Sequence, residues 1–504
     1  MGTIRKQAIY SSMVIYVGFL IGAVNTWLFI KSGSGTFTPA EYGLTRLFFD
    51  VGQLMFTVAS LGVVAAIYKF FPYYNDNLST KENDLYTWGL VIPLFGFLLV
   101  LAGGLYFEPL IIKKFSEKSL LFVDYYHWIF VFGFGILIFS LFEAYANIFK
   151  RTVLPNFLKE LTLRLLTFVL IVLFYFSVIN FNGFIKLFSF LYLLIAVIIG
   201  VILLKGKHFR FTFSLSRVSK KFGKKITTLS AYVYGGTIIL MLSQVADSIM
   251  IASISDKGII DAGVYSLAAY VANLIQVPQR SIVAITLPIL SQSWKDKNLQ
   301  EIERIYKRTS INLLLIGIFI FGAIWLNISD AFAVLHVQKD YEAGLMVIFF
   351  LGIARIIDAG TGVNGQIIGT SINWRFEFLT GIILLALFLP LNYVLIKQYG
   401  IVGSAYSNVI AFTIYNAIRI WFLWYKYKLQ PFSNKTILSL ALAGAAYFIC
   451  YYLFQNMNGW LGIITTSSVF TILFVGGMFA MKLTPDAMQL LEVIKKKLGL
   501  LQKD

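Results

Sequence analysis

The stretch AEYGLTRL, residues 40–47, opens one apolar run and DAGVYSLA, residues 261–268, opens another, with Gly43 and Gly263 standing 220 positions apart. Nearly the same shift returns twice more. The segment RTVLPNFLKELT at 151–162 corresponds to GTSINWRFEFLT at 369–380, 218 later, and the helical face Gly18, Gly22 and Asn25 corresponds to Thr237, Met241 and Gln244, 219 later. A near-constant shift across six apolar runs implies two halves of equal orientation, because an even number of spans returns the chain to the side it left.

Composition identifies the solvent. The 504 residues are 58% hydrophobic and 13% charged, with a mean hydropathy of +0.78, against about 45–50% and about 25% in an ordinary soluble domain. Fourteen runs reach about 20 residues, the length that crosses a bilayer, between residues 9 and 481. The expected fold is therefore an all-α polytopic membrane protein of about 14 transmembrane helices. Two parallel six-helix lobes occupy 1–204 and 226–425, joined by a basic linker at 205–225. Residues 426–504 add two further spans and an amphipathic tail. Arg5 and Lys6 precede an apolar run from about residue 9 to 30 that is too long for a signal peptide, so it reads as a retained first helix.

Charge gives the orientation. Of the 42 lysines and arginines, 29 fall on the side of the two termini and 8 on the other, which places both termini in the cytoplasm. The net charge of +18 is then mostly a topology signal rather than a nucleic-acid footprint. The basic linker KGKHFRFTFSLSRVSKKFGKK and the tail PDAMQLLEVIKKKLGL also suit an anionic inner leaflet. Cys450 has no partner for an internal disulfide, and His127, His208 and His336 lack metal-ligand spacing. No cofactor or metal is expected.

Five arginines remain, all inside expected spans: Arg46, Arg164, Arg280, Arg355 and Arg419. Several membrane acids accompany them, among them Asp50, Glu143, Asp247 and Asp358. Ionisable groups at membrane depth face a bundle interior or water and are functional candidates by default. Arg46 with Asp50, and Arg355 with Asp358, are also spaced to neutralise one another on a single helix face. The second span carries a polar stripe of Arg46, Asp50, Gln53, Thr57 and Ser60, and the eighth a stripe of Ser266, Tyr270, Asn273, Gln276 and Arg280. Stripes of that length line a hydrated path.

Two parallel six-helix lobes, an extra C-terminal pair, the loop FTPAEYGL after the first span and a Gly-containing turn after the seventh resemble the polysaccharide-transporter branch of the MOP flippase superfamily. The nearest group is the Wzx-type O-antigen and capsule flippases. Lipid II flippases and MATE exporters are cousins. The resemblance implies V-shaped lobes around a cationic cavity, working by alternating access as a monomer in the bacterial inner membrane. It implies as cargo a polyprenyl-diphosphate-linked oligosaccharide, and as partners a polysaccharide polymerase and other assembly proteins. Arginine suits a diphosphate, so the expected substrate-binding residues are Arg46, Arg164, Arg280, Arg355, Gln53, Asn273 and Gln276. Asp50, Asp247, Asp358 and Glu143 are the expected ion-coupling acids for a proton or sodium gradient. An enzyme is not expected: the chain has no nucleotide-binding GxxxxGK[ST] and its outer loops are short. The alternatives are a MATE-like small-molecule exporter, which five membrane arginines disfavour for cationic drugs, and a lipid II flippase.

Overall fold

The computed structural model describes residues 2–205 and 211–486, with side chains from Met13 onward. The tail beyond 486 and residues 206–210 of the basic linker, both singled out in the sequence, lie outside the described residues. By contact the chain divides into two compact units, one up to Gly263 and one from Val264.

The first unit holds α1 (Gly2–Ile30), α2 (Pro39–Ser60), α3 (Val63–Asn77), α4 (Leu85–Tyr106), α5 (Glu108–Phe115), α6 (Leu120–Asp124), α7 (Tyr126–Ile148), α8 (Val153–Asn156), a π-helical turn (Phe157–Thr162), α9 (Leu163–Tyr175), α10 (Phe181–Lys205) and α11 (Arg217–Ile254). The FTPAEYGL loop is a helix start: Thr38 caps α2, Glu41 reaches back to the Thr38 N–H at 2.7 Å, and Pro39 takes the first helical position. Leu61 and Gly62, both left-handed, end α2 and bend it by 49° against α3. A side chain on Gly62 would meet the Ser230 carbonyl at 2.2 Å, so α11 packs directly on this break. In lipid, helices associate through close packing rather than through the hydrophobic effect. Gly135 of α7 accordingly lies against the α10 backbone at Leu193, 2.7 Å from where a Cβ would stand. Around it runs a ring cluster in which Phe132, Phe184 and Phe188 stack.

The boundary between units falls inside α12 (Ile259–Asn273). The second unit continues with a 3-10 turn (Leu274–Gln276), α13 (Val277–Lys295), α14 (Leu299–Val334), a 3-10 segment (Lys339–Gly344), α15 (Leu345–Gly360), α16 (Asn364–Thr370), α17 (Trp374–Tyr427), α18 (Asn434–Phe454) and α19 (Gly459–Ala480). The two C-terminal helices pack on α14 through Ile311, Leu315, Ala446, Cys450, Phe470 and Phe474.

Among the described residues, 11 helices are long and apolar enough to span a membrane, or 12 when α2 and α3 count as one. The fourteen runs in the sequence exceed this for two reasons. α17 is 54 residues long and carries two runs across Gly400, whose φ of 59° and ψ of −141° no helix contains. The run at 153–179 is cut by the π-turn into pieces too short to count. The pattern of burial along 41–50 is the same as along 261–270. Gly43 and Gly263 meet reciprocally, a Cβ on Gly43 falling 2.3 Å from the Ile259 carbonyl and one on Gly263 2.3 Å from the Pro39 carbonyl.

Candidate substrate and ion sites

In the second unit the site begins with a helix break. Pro278, at the start of α13, has no N–H to give to the Leu274 carbonyl, and the ladder opens into a 3-10 turn in mid-span. The break brings two amides to Asp358 on α15: Gln276 Nε2 donates at 3.1 Å and Gln279 Nε2 at 3.5 Å to Oδ2. Asn416 Nδ2 donates at 3.1 Å to Oδ1. The chain of contacts continues through Asn416 Oδ1, which accepts from Thr361 at 2.9 Å and from Asn364 at 2.8 Å, and Asn364 Oδ1 accepts from Arg419 Nη1 at 3.4 Å. Arg419 is buried, pairs with Glu377 and lies 3.8 Å from the centre of the Tyr415 ring.

Arg355 does not join this network. One turn before Asp358, its guanidinium stands 5.4 Å from the Phe412 ring, and its buried Nε has no hydrogen-bond partner among the described residues. The neutralising pair that the spacing of Arg355 and Asp358 allows is not formed; three amides hold the carboxylate instead. Arg280 and Asn273 are exposed on the broken span, and Gln276 is half-buried. Neither Arg280 nor Arg355 has an ion-pair partner among the described residues.

In the first unit Arg46 donates from Nε to the Tyr42 hydroxyl at 3.0 Å and lies 5.1 Å from that ring. Asp50, one turn on, takes a hydrogen bond from Ser248 of α11 and stands within electrostatic reach of both Arg46 and buried Asp247. Two carboxylates and one arginine thus meet where α2 packs on α11. The stripe below them is shorter than the spacing suggests: Gln53 is half-buried, but Thr57 and Ser60 bond to carbonyls of their own helix at 2.9 and 3.0 Å.

Arg164 pairs with Glu160 at 2.6 Å, and Lys159 reaches Glu143 at 3.9 Å, so the π-turn supplies one partner to each. Helix α1 closes over this cluster. A Cβ on Gly18 would stand 2.1 Å from the Glu160 carbonyl and one on Gly22 2.8 Å from the Arg164 guanidinium, while Asn25 donates to the Arg164 carbonyl at 2.8 Å. The Gly18, Gly22, Asn25 face is a packing surface. Its repeat counterpart differs, since Thr237 and Gln244 are exposed.

The sequence reading passed over Glu160, Glu377, Gln279, Asn364 and Asn416. A signal was present for the two glutamates, since both lie within the repeated segments KELT and EFLT; they stand in the opening turns of expected spans, where a charge needs no partner. Chemically, a guanidinium with open donors beside an amide-held carboxylate offers an anion site next to a charge that a cation or proton can neutralise. Among the described residues no group of three or more His, Cys, Asp or Glu side chains is placed to hold a metal ion.

The fold is similar to that of solved flippase and multidrug transporters. The chain superposes on the lipid II flippase MurJ in an inward closed conformation with a TM-score of 0.68 at 15% identity, over 94% of this chain and 98% of that one. It superposes on an inward-facing multidrug-resistance MATE transporter with a TM-score of 0.60 at 16% identity, over 84% and 98%, and on MATE in complex with MaL6 at 0.52 and 15%, over 84% and 96%. No protein-family model matches the sequence, and a search of curated proteins finds no match.

Proposed function

We propose that the protein is a flippase that carries a polyprenyl-diphosphate-linked oligosaccharide, an O-antigen, capsule or exopolysaccharide unit, from the inner to the outer leaflet by alternating access. The observation that carries this reading is the sorting of the five membrane arginines. Arg164 and Arg419 are spent on glutamates and Arg46 faces Asp50, whereas Arg280 and Arg355 keep open donors in the second unit. Two such guanidiniums suit a diphosphate, whose oxygens they bind as planar forks. Asp358 is the coupling acid, because a proton or sodium ion taken up there changes the charge beside Arg355.

Two features favour a lipid-borne cargo over a small cation. The flippase superposition covers more of the chain than the MATE ones, and the difference, a tenth of the chain, is about the length of α18 and α19 together. Those helices also wall an apolar cavity of about 380 Å³ with Phe321, Ile356, Leu440, Tyr447 and Phe470, a chemistry that suits an isoprenoid chain. The same features favour, as a second reading, a lipid II-type precursor as the glycan. The setting is the bacterial inner membrane with both termini inside.

The test is translocation in proteoliposomes, with a polyprenyl-diphosphate oligosaccharide scored for leaflet by an impermeant sugar-modifying reagent. Wild type should flip the lipid, and Arg280→Ala and Arg355→Ala should each abolish flipping while remaining folded. Full activity in both variants overturns the arginine assignment. Absence of flipping by wild type under either a proton or a sodium gradient overturns the function.

A further inference from the structure

The first unit contains a second cluster of cations that the proposed transport route does not use. It lies where the end of α3 packs on the start of α11. A cavity of about 620 Å³ opens there, lined by Lys69, Phe70, Tyr73, Phe222, Lys224, Lys225, Thr228, Leu229 and Tyr232. That volume is in the range of small-molecule sites. Three lysines and no carboxylate line it, and none of the three has an ion-pair partner among the described residues. On α11 the spacing Lys221, Lys224, Lys225, Thr228, Tyr232 keeps one helical face, and Lys69 and Tyr73 do the same on α3.

The floor is aromatic. Phe70, Tyr73 and Phe222 form a three-ring cluster with centroids 5.1 to 6.1 Å apart. The ammonium groups of Lys221 and Lys225 stand 5.7 and 5.8 Å from the Phe222 ring. Tyr73 and Tyr232 are among the exposed large side chains, as tyrosines at a membrane interface are. Charge counting puts this end of both helices at the inner face, where phosphate-bearing headgroups lie.

We propose that this cavity is a binding site for the phosphate of a membrane lipid headgroup. Lys69, Lys224 and Lys225 hold the phosphate oxygens, and the aromatic floor and the two tyrosines receive the first carbons of the chain. Phosphate is the shared chemistry of two occupants, an anionic glycerophospholipid and the diphosphate of a lipid-linked glycan. Only the second makes the cavity a loading station for transport, and that role rests on the function proposed above.

The experiment uses the full chain in phosphatidylcholine nanodiscs. Binding of polyprenyl diphosphate, of phosphatidylglycerol and of the uncharged polyprenol is measured in an Arg280→Ala, Arg355→Ala background, which removes the transport site and serves as wild type for this comparison: for that protein itself, for the triple variant Lys69→Gln, Lys224→Gln, Lys225→Gln, and for the corresponding triple Arg variant. The Gln variant should bind the phosphate lipids at least tenfold more weakly and the polyprenol unchanged, while the Arg variant stays within threefold of wild type. Loss confined to phosphatidylglycerol assigns the site to a bulk lipid, and loss confined to polyprenyl diphosphate assigns it to the cargo; either supports the site. Equal binding of both phosphate lipids by wild type and the Gln variant overturns it. Because binding is scored apart from flipping, a protein that binds phosphate lipid without transporting any glycan would leave the site standing and remove the functional reading.

Discussion

Removing Glu377 tests the division between arginines that hold the fold and arginines that are open. Arg419 has 6% of its surface exposed, so Glu377→Ala leaves a buried cation without its carboxylate. Breaking a buried pair from one side costs about 3–5 kcal/mol. One feature lowers that figure: the Glu377 side chain is 29% exposed, so water reaches the vacated place. The expected loss is about 2–3 kcal/mol. Replacing both partners with apolar side chains of similar size, Glu377→Leu with Arg419→Met, abandons no charge and should lie within about 1 kcal/mol of wild type. Arg355→Met breaks no ion pair and should also stay within about 1 kcal/mol, yet stop transport. Denaturant unfolding in mild detergent, followed by tryptophan fluorescence, measures all four proteins. A Glu377→Ala variant as stable as wild type, or a double variant as unstable as the single one, refutes the reasoning.

Four further outcomes follow from the same geometry. Asp358→Asn keeps a side chain of the same shape but loses the charge, so flipping should become independent of the ion gradient while the protein remains folded; retained gradient dependence in the proteoliposome assay rules Asp358 out as the coupling acid. Gly263→Val drives a branched side chain towards the Pro39 carbonyl and should lower stability by about 1–3 kcal/mol or more, whereas Gly476→Val, with open space around its Cβ, should be near neutral in the same unfolding assay. Asp84 is buried and accepts from the Ser216 N–H at 3.0 Å and the Ser219 hydroxyl at 2.8 Å, so Asp84→Ala should cost about 1–3 kcal/mol and speed protease cleavage between α10 and α11. Glu160→Gln should cost only about 1 kcal/mol, because both members of that pair are partly exposed, at 30% and 23%; a loss as large as for Glu377→Ala would contradict the ranking by burial.

The sequence by itself determined what depends on length, polarity and local order. Apolar runs of bilayer length specify a polytopic helical protein, and the shift of 220 between Gly43 and Gly263 points to a repeat, whereas the start of α2 at Pro39, inside the stretch read as a loop, emerges only in the structure. The positions of the membrane arginines were legible for the same reason, since a charge in an apolar run stands out wherever it lies. Their partners were not. The spacing of Arg355 and Asp358 offers a local pair, but Asp358 is taken by Gln276, 82 residues earlier, and Asn416, 58 residues later, and Arg419 by Glu377, 42 residues away. Likewise Asp247 and Asp50, far apart in the chain, meet only because α11 packs on α2. Which carboxylate reaches which guanidinium is decided by how helices approach one another, and that approach is set by glycine contacts, a proline break and a π-turn whose effects appear only after packing. Tertiary structure therefore decided which arginines are spent and which remain open.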